Sequence, residues 1–150
     1  MPRLDEKDLK LLDLLKENSR LTTSELSKKL EMPQTTIHNR IKKLRELGII
    51  KRFSIDVARK KVGRGLVSFI LCTVSYRTAT GQKTNQLEIA HQIKALPEVE
   101  DVSIVTGEID MIVKVSLKDV DELNDFIISK LRNIEGIERT ITSVVLSEVQ

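Results

Sequence analysis

The spacing of apolar residues changes character about a third of the way along this chain. In the first part they recur every three or four positions, the period of a helix. Leu9, Leu12 and Leu15 form one seam, with Leu11 and Leu14 as a second row. Asp5 can cap that helix, with Leu4 and Leu9 as its staple residues. Thr22 and Glu25 have capping-box spacing, flanked by the staple pair Leu21 and Leu26, and Leu30 lies four residues further on. Pro33 ends this second helix and suits the entry to a third. In the third, Ile37, Ile41 and Leu44 share a face, Leu47 extends the apolar end, and Gly48 is a natural residue just past the last turn. Three such helices can share a small core.

After Gly48 the period shortens to two. Ile49 to Ile55 reads as a short strand with Phe53 and Ile55 on one face, a wing or lead-out beside the helices. The basic run Ala58 to Gly65 (ARKKVGRG) carries two glycines and reads as a hinge. Strands are then predicted over 66–76, 99–105, 109–117 and 137–149. Helices are predicted over 84–95, with Leu87, Ala90 and Ile93 inward, and over 120–132, with Leu123, Phe126, Ile127 and Leu131 inward. The order β-α-β-β-α-β is that of a ferredoxin-like domain, so the fold class is α+β. A weak repeat supports it: Leu96–Glu100 (LPEVE) and Ile134–Glu138 (IEGIE) occupy the same helix-to-strand junction in each half. The expected organisation is therefore a three-helix domain over 1–57, a hinge over 58–65, and a βαββαβ domain over 66–150.

Two βαβ units place both helices on one face of the sheet. The other face should then be polar at every second position. Instead Val67, Phe69 and Leu71 alternate with Leu66, Ile70, Cys72 and Val74, and Ile112 lies among the alternate positions of the 109–117 strand. An uncovered apolar face of this kind marks an interface. The sheet is expected to pack on its copy in a homodimer, which also suits reading of paired DNA half-sites.

The face of the third helix opposite its seam holds the candidate chemistry. Thr35 and Asn39 point directly away from the core, with Thr36 beside them. Gln34 and His38 belong to the same N-terminal half, which meets base edges in helix-turn-helix proteins. Asn can pair bidentately with adenine, and a Thr methyl can pack on a thymine methyl. Arg40, Lys42, Lys43 and Arg45, with Lys51 and Arg52 beyond the helix, suit phosphates.

Charge sharpens this reading. Of the net +3, residues 1–61 hold 16 Lys and Arg against 9 Asp and Glu, a balance of +7. Residues 62–150 hold 9 against 13, a balance of −4. Duplex DNA is the expected partner of the first part only, with strongly salt-dependent binding. The single Cys72 excludes an internal disulfide and suits a reducing cytoplasm. No signal peptide or membrane-spanning run is read, so no membrane partner is expected.

An enzyme is not indicated. The two histidines, His38 and His91, have no Cys or carboxylate at triad or metal-ligand spacing, and no glycine loop cradles phosphate, so no catalytic residue, metal or cofactor is expected. An RNA-binding sheet would need stacking aromatics, and this acidic domain offers only Phe69, Tyr76 and Phe126.

The segments LDEKDLKLLDLLKENSR, TIHNRIKKLRELGIIKRF and TGEIDMIVKV resemble, in order and over nearly the whole chain, the leucine-responsive/asparagine regulator (Lrp/AsnC) family of transcription factors. The resemblance implies a winged helix-turn-helix followed by a βαββαβ domain that dimerises and binds small effectors. It also implies assembly into tetramers, octamers or larger forms, with amino-acid effectors bound near the Thr-Gly-x-x-Asp turn. Here Thr106, Gly107, Glu108 and Asp110 form that turn, and Thr140 is a candidate for the same cleft. The residues alone favour a plain hairpin turn in which Gly107 allows φ > 0. The implied function is a sequence-specific regulator modulated by an amino acid; the alternative is an effector-independent architectural protein that wraps or bridges DNA. Glu31 stands where many members carry Gly, and Pro33 where they carry a Ser or Thr cap. Ser103 and Ile109 stand at positions often aromatic in the family, and the segment 77–85 is expected to form a longer, mobile loop.

Overall fold

The computed structural model describes residues 4–77 and 80–148. Thr78 and Ala79 of the expected loop, and Val149 at the end of the last expected strand, lie outside the described residues. The chain forms two compact units, one ending at Asp56 and the other beginning at Val57. Each has its own apolar core.

The first unit holds α1 (Glu6–Glu17), α2 (Thr23–Leu30) and α3 (Gln34–Glu46). Asp5 caps α1 in a reciprocal box with Asp8, and Thr22 does the same for α2 with Glu25. The buried face of α1 is rotated from the expected seam. It runs through Asp8, Leu11 and Leu15, while Leu9 is 50% exposed and Leu12 lies at the margin. An inward Asp8 explains the rotation, because its partner Arg40 comes from α3.

After α3 the chain closes in a Schellman motif. Gly48, at φ 69°, donates to the Arg45 carbonyl, and the Ile49 amide reaches back to Leu44. The expected strand at Ile49 to Ile55 does not form. Ile49 and Ile50 both spend their amides on Leu44, and no strand pairs with the extended residues that follow. Phe53 and Ile55 remain exposed.

The second unit is a four-stranded sheet with β1 (Leu66–Val74), β2 (Val99–Ile104), β3 (Met111–Leu117) and β4 (Ile137–Val144) in the order β2-β3-β1-β4. Every neighbouring pair is antiparallel. Helices α4 (Gln86–Lys94) and α5 (Val120–Asp125) cover one face. The two repeated junctions are hydrogen-bonded alike: the Val99 amide to Leu96, and the Ile137 amide to Ile134. In α4 the inward residues are Ile89, Ala90 and Ile93, and Leu87 is exposed, contrary to expectation. The helix expected to run regularly to Arg132 continues instead from α5 as a π turn (Phe126–Lys130) and a 3-10 turn (Leu131–Asn133). The apolar spacing accounts for this. Phe126 and Leu131 are both buried five residues apart, and a π turn brings i and i+5 onto one face. Gly136, at φ 99°, is required for close approach: a Cβ there would lie 2.6 Å from the Ile89 Cδ1.

The segment expected as a hinge is built into this second unit. It folds into a 3-10 turn (Arg59–Val62) whose Arg59 guanidinium meets Glu100 on β2 at 2.6 and 3.0 Å.

The uncovered face of the sheet can be read from the register. Phe69 lies opposite Lys114 and Ser143, and Leu71 opposite Ile112 and Ile141. Phe69 and Ile141 are 38% and 41% exposed, whereas Ile70 and Cys72, on the helix side, are fully buried. The apolar patch expected from the alternation is therefore present on this face of the single chain.

Candidate nucleic-acid interface and effector turn

The recognition surface is assembled by the two turns that frame α3. Between α2 and α3, Glu31 takes the left-handed conformation (φ 51°, ψ 48°), and the Met32 amide returns to Ser27 while its side chain is buried. A non-glycine residue tolerates this conformation at a cost. Pro33 sets the start of α3 without a side-chain cap, and its carbonyl accepts from the Thr36 and Ile37 amides. With Ile37 and Leu44 buried, the opposite face is fixed. Gln34, Thr35, His38, Asn39, Lys42, Lys43 and Arg45 are exposed, and Thr36 is half-buried. His38, Lys42, Arg45 and Lys51 line an open cleft of about 780 Å³, and Arg52 follows it, exposed.

Arg40 departs from expectation. Rather than facing outward with the other cations, its Nη1 donates to Asp5 at 2.8 Å and to Asp8 at 2.5 Å. The Asp8 side chain is 5% exposed. The guanidinium pKa is raised by Asp8 and then Asp5; the Asp5 carboxyl is held below its ordinary value by the Asp8 amide and then by Arg40. Arg40 thus ties α3 to the start of α1 and leaves the set of free phosphate contacts. It was assigned to phosphates by its charge, although at three residues from Ile37 and four from Leu44 it lies on the buried side of α3. Asp8, which the outward reading passed over, carries its signal only in the capping-box spacing after Asp5.

The turn between β2 and β3 holds the remaining candidates. Val105 donates to the Asp110 carbonyl at 2.8 Å, Gly107 adopts φ 124°, and Thr106, Gly107 and Glu108 are exposed. The Asp110 carboxylate is already engaged within the protein. Its carboxylate accepts from the Val74 amide at 2.8 Å and from the Gln86 side chain at 2.9 Å. Its own amide donates to the Cys72 carbonyl. The residue braces β1, β3 and the first residue of α4. Gln86 was not foreseen, since nothing in its local pattern points to a contact 24 residues away. Thr140 lies at the same end of the sheet, across Cys72 from Met111, and its hydroxyl accepts from Arg132 at 3.4 Å. Cys72 itself is fully buried, with its thiol pushed up to about 11 by burial, and is chemically inert. Among the described residues no group of three His, Cys, Asp or Glu side chains could hold a metal ion, and no helix is long and apolar enough to cross a membrane.

Two family models match the chain. Residues 4–51 match a winged helix-turn-helix DNA-binding domain, and residues 71–150 match the Lrp/AsnC ligand-binding domain. An uncharacterised HTH-type transcriptional regulator of Pyrococcus horikoshii is 43% identical over 94% of this chain and 91% of its own. Among solved structures, a Neisseria meningitidis transcriptional regulator in complex with L-Met aligns with a TM-score of 0.87 at 27% identity, covering 99% of this chain and 93% of that one. Escherichia coli AsnC aligns with a TM-score of 0.82 at 28% identity, covering 98% and 95%.

Proposed function

Because this chain belongs to the Lrp/AsnC family of DNA-binding transcriptional regulators, which are not enzymes, we propose that it is a sequence-specific regulator whose activity or assembly responds to a small effector, an amino acid. The observation that carries the reading is the outward face of α3. Thr35 and Asn39 stand exposed there, with the cations Lys42, Lys43 and Arg45 beside and beyond them. The first two suit base edges and the cations suit phosphates, so one helix can both choose a site and grip it.

The ligand-binding match and the L-Met complex of the Neisseria relative support an effector at the β2–β3 turn. The free groups there are the Thr106 hydroxyl, the backbone around Gly107 and the Glu108 carboxylate. A zwitterion could use the first two for its carboxylate and Glu108 for its ammonium. Asp110 contributes as a brace that fixes the turn. The apolar sheet face of Phe69, Leu71, Ile112 and Ile141 supports a homodimer, and further assembly into a larger homo-oligomer such as an octamer follows the family. The expected location is the cytoplasm, where the DNA and free amino acids are.

Calorimetry with a panel of amino acids, paired with measurement of assembly mass with and without each, tests the proposal. A saturable heat with a change in mass or in DNA affinity is expected for at least one. Binding by none would favour an architectural protein that wraps DNA without an effector.

A further inference from the structure

Four of the chain's cations are concentrated in residues 58–65, which contain no acidic residue. The remainder of the second unit, 66–150, holds 8 Lys and Arg against 13 Asp and Glu, a balance of −5. The cluster therefore stands out against an acidic domain. The structure gives its members different work.

Arg59 is an anchor. It grips Glu100 through two nitrogens and meets Glu148 at 3.1 Å, and Lys114 approaches both carboxylates at 3.7 Å. The Arg64 amide returns to the Arg59 carbonyl at 2.9 Å, and Ser116 on β3 donates to the Arg64 carbonyl at 2.8 Å. Gly63, at φ 74°, completes the turn. The turn is thus tied to the sheet at both ends, through the Arg59 side chain and the Arg64 carbonyl. Lys60, Lys61 and Arg64 are exposed; the Arg64 Nη1 donates to the Pro97 carbonyl at 3.3 Å, and no acidic side chain among the described residues pairs with any of the three. A cationic turn held in place needs less ordering to meet a polyanion than a free tail would.

We propose that this turn is a second phosphate-binding surface, which engages the backbone of duplex DNA flanking the site held by α3. The inference rests on the chain binding DNA through α3, and it adds a contact outside the helix-turn-helix. Chain connectivity supports the choice of partner. Eight Cα–Cα steps separate Arg52 from Lys60. Fully extended they reach about 26–29 Å, less than the roughly 34 Å of one duplex turn. The tether therefore limits Lys60 to that distance from Arg52, less than the span of one duplex turn. Tethering makes the second contact effectively intramolecular.

The test uses the full chain with the substitutions Lys60→Gln, Lys61→Gln and Arg64→Gln together, and a second variant with the two lysine changes alone. Duplex affinity is measured across a salt series, with thermal melts to verify folding and Lys42→Gln as a reference for α3. Each phosphate contact contributes about 0.9 to the slope of log affinity against log salt. The triple variant should lose about 2.7 of slope per bound protomer, so that wild-type affinity falls roughly 40-fold more steeply between 50 and 200 mM salt. The double variant should lose about two thirds of that slope. The losses should match on cognate and random DNA, with shorter protection at the flanks in a footprint. An unchanged slope in both variants, with a reduced slope in Lys42→Gln, would overturn the second surface. A flat response in all three would overturn the α3 interface as well.

Discussion

At the scale of single residues, the informative positions are those where local preference and tertiary geometry disagree. Glu31 occupies a left-handed conformation that glycine would adopt freely. Glu31→Gly should therefore raise stability by about 0.5–1 kcal/mol, read as a higher urea midpoint at constant slope, with no change in DNA affinity. Arg40 is the opposite case: a cation on α3 that the protein uses for itself. Arg40→Gln strands the buried Asp8 carboxylate and should cost about 2 kcal/mol, less than for a fully buried pair because Asp5 is half in water. It should leave the salt dependence of DNA binding unchanged, since no phosphate contact is lost. A shallower salt slope in this variant would return Arg40 to the interface.

At the scale of elements, three helices begin on carboxylate-based caps, and the same chemistry sets their response to acid. Asp5 and Asp119 are held below their ordinary 3.8 chiefly by the amides of Asp8 and Glu122, and Glu25 below 4.5 by the Thr22 amide and hydroxyl. Folded carboxyls depressed in this way stabilise the protein above their unfolded pKa, and that contribution is lost as pH falls through the lower folded value. Stability should thus be flat from neutrality to about pH 5 and decline below 4.5, with the decline blunted in Glu25→Gln. Thermal melts across pH 3–7 measure this. The Asp5 and Thr22–Glu25 caps were legible in the sequence because each is a contact over three residues; the Asp119 cap was not read. The Gly48 closure and the paired junctions before β2 and β4 were legible for the same reason. The contacts that were missed are long-range. Arg40 to Asp8 spans 32 residues and Asp110 to Val74 spans 36, and neither leaves a local signature. The strand expected at Ile49 to Ile55 failed differently: alternation describes a strand's faces but not whether anything pairs with its edge.

At the scale of the whole molecule, net positive charge is concentrated in the first unit, at +4 for residues 1–56 against −1 for 57–150. The first unit carries the exposed face of α3, and the second carries a partly exposed apolar sheet face. The exposure of Thr35 and Asn39 was legible because a helix has one outward face once Ile37 and Leu44 are buried. The β2–β3 turn was less so: its sequence located the loop, but not that Asp110 would be engaged in bracing it. The account is tested most directly by titrating Asn39→Ala and Lys42→Ala against a cognate operator and a random duplex of equal length. Asn39→Ala should lose about 1–3 kcal/mol on the operator and little on random DNA, while Lys42→Ala should weaken both alike with a salt slope lower by about 0.9 per protomer. Equal losses on both duplexes for both variants would contradict the assignment of reading to one face of α3 and gripping to its flank.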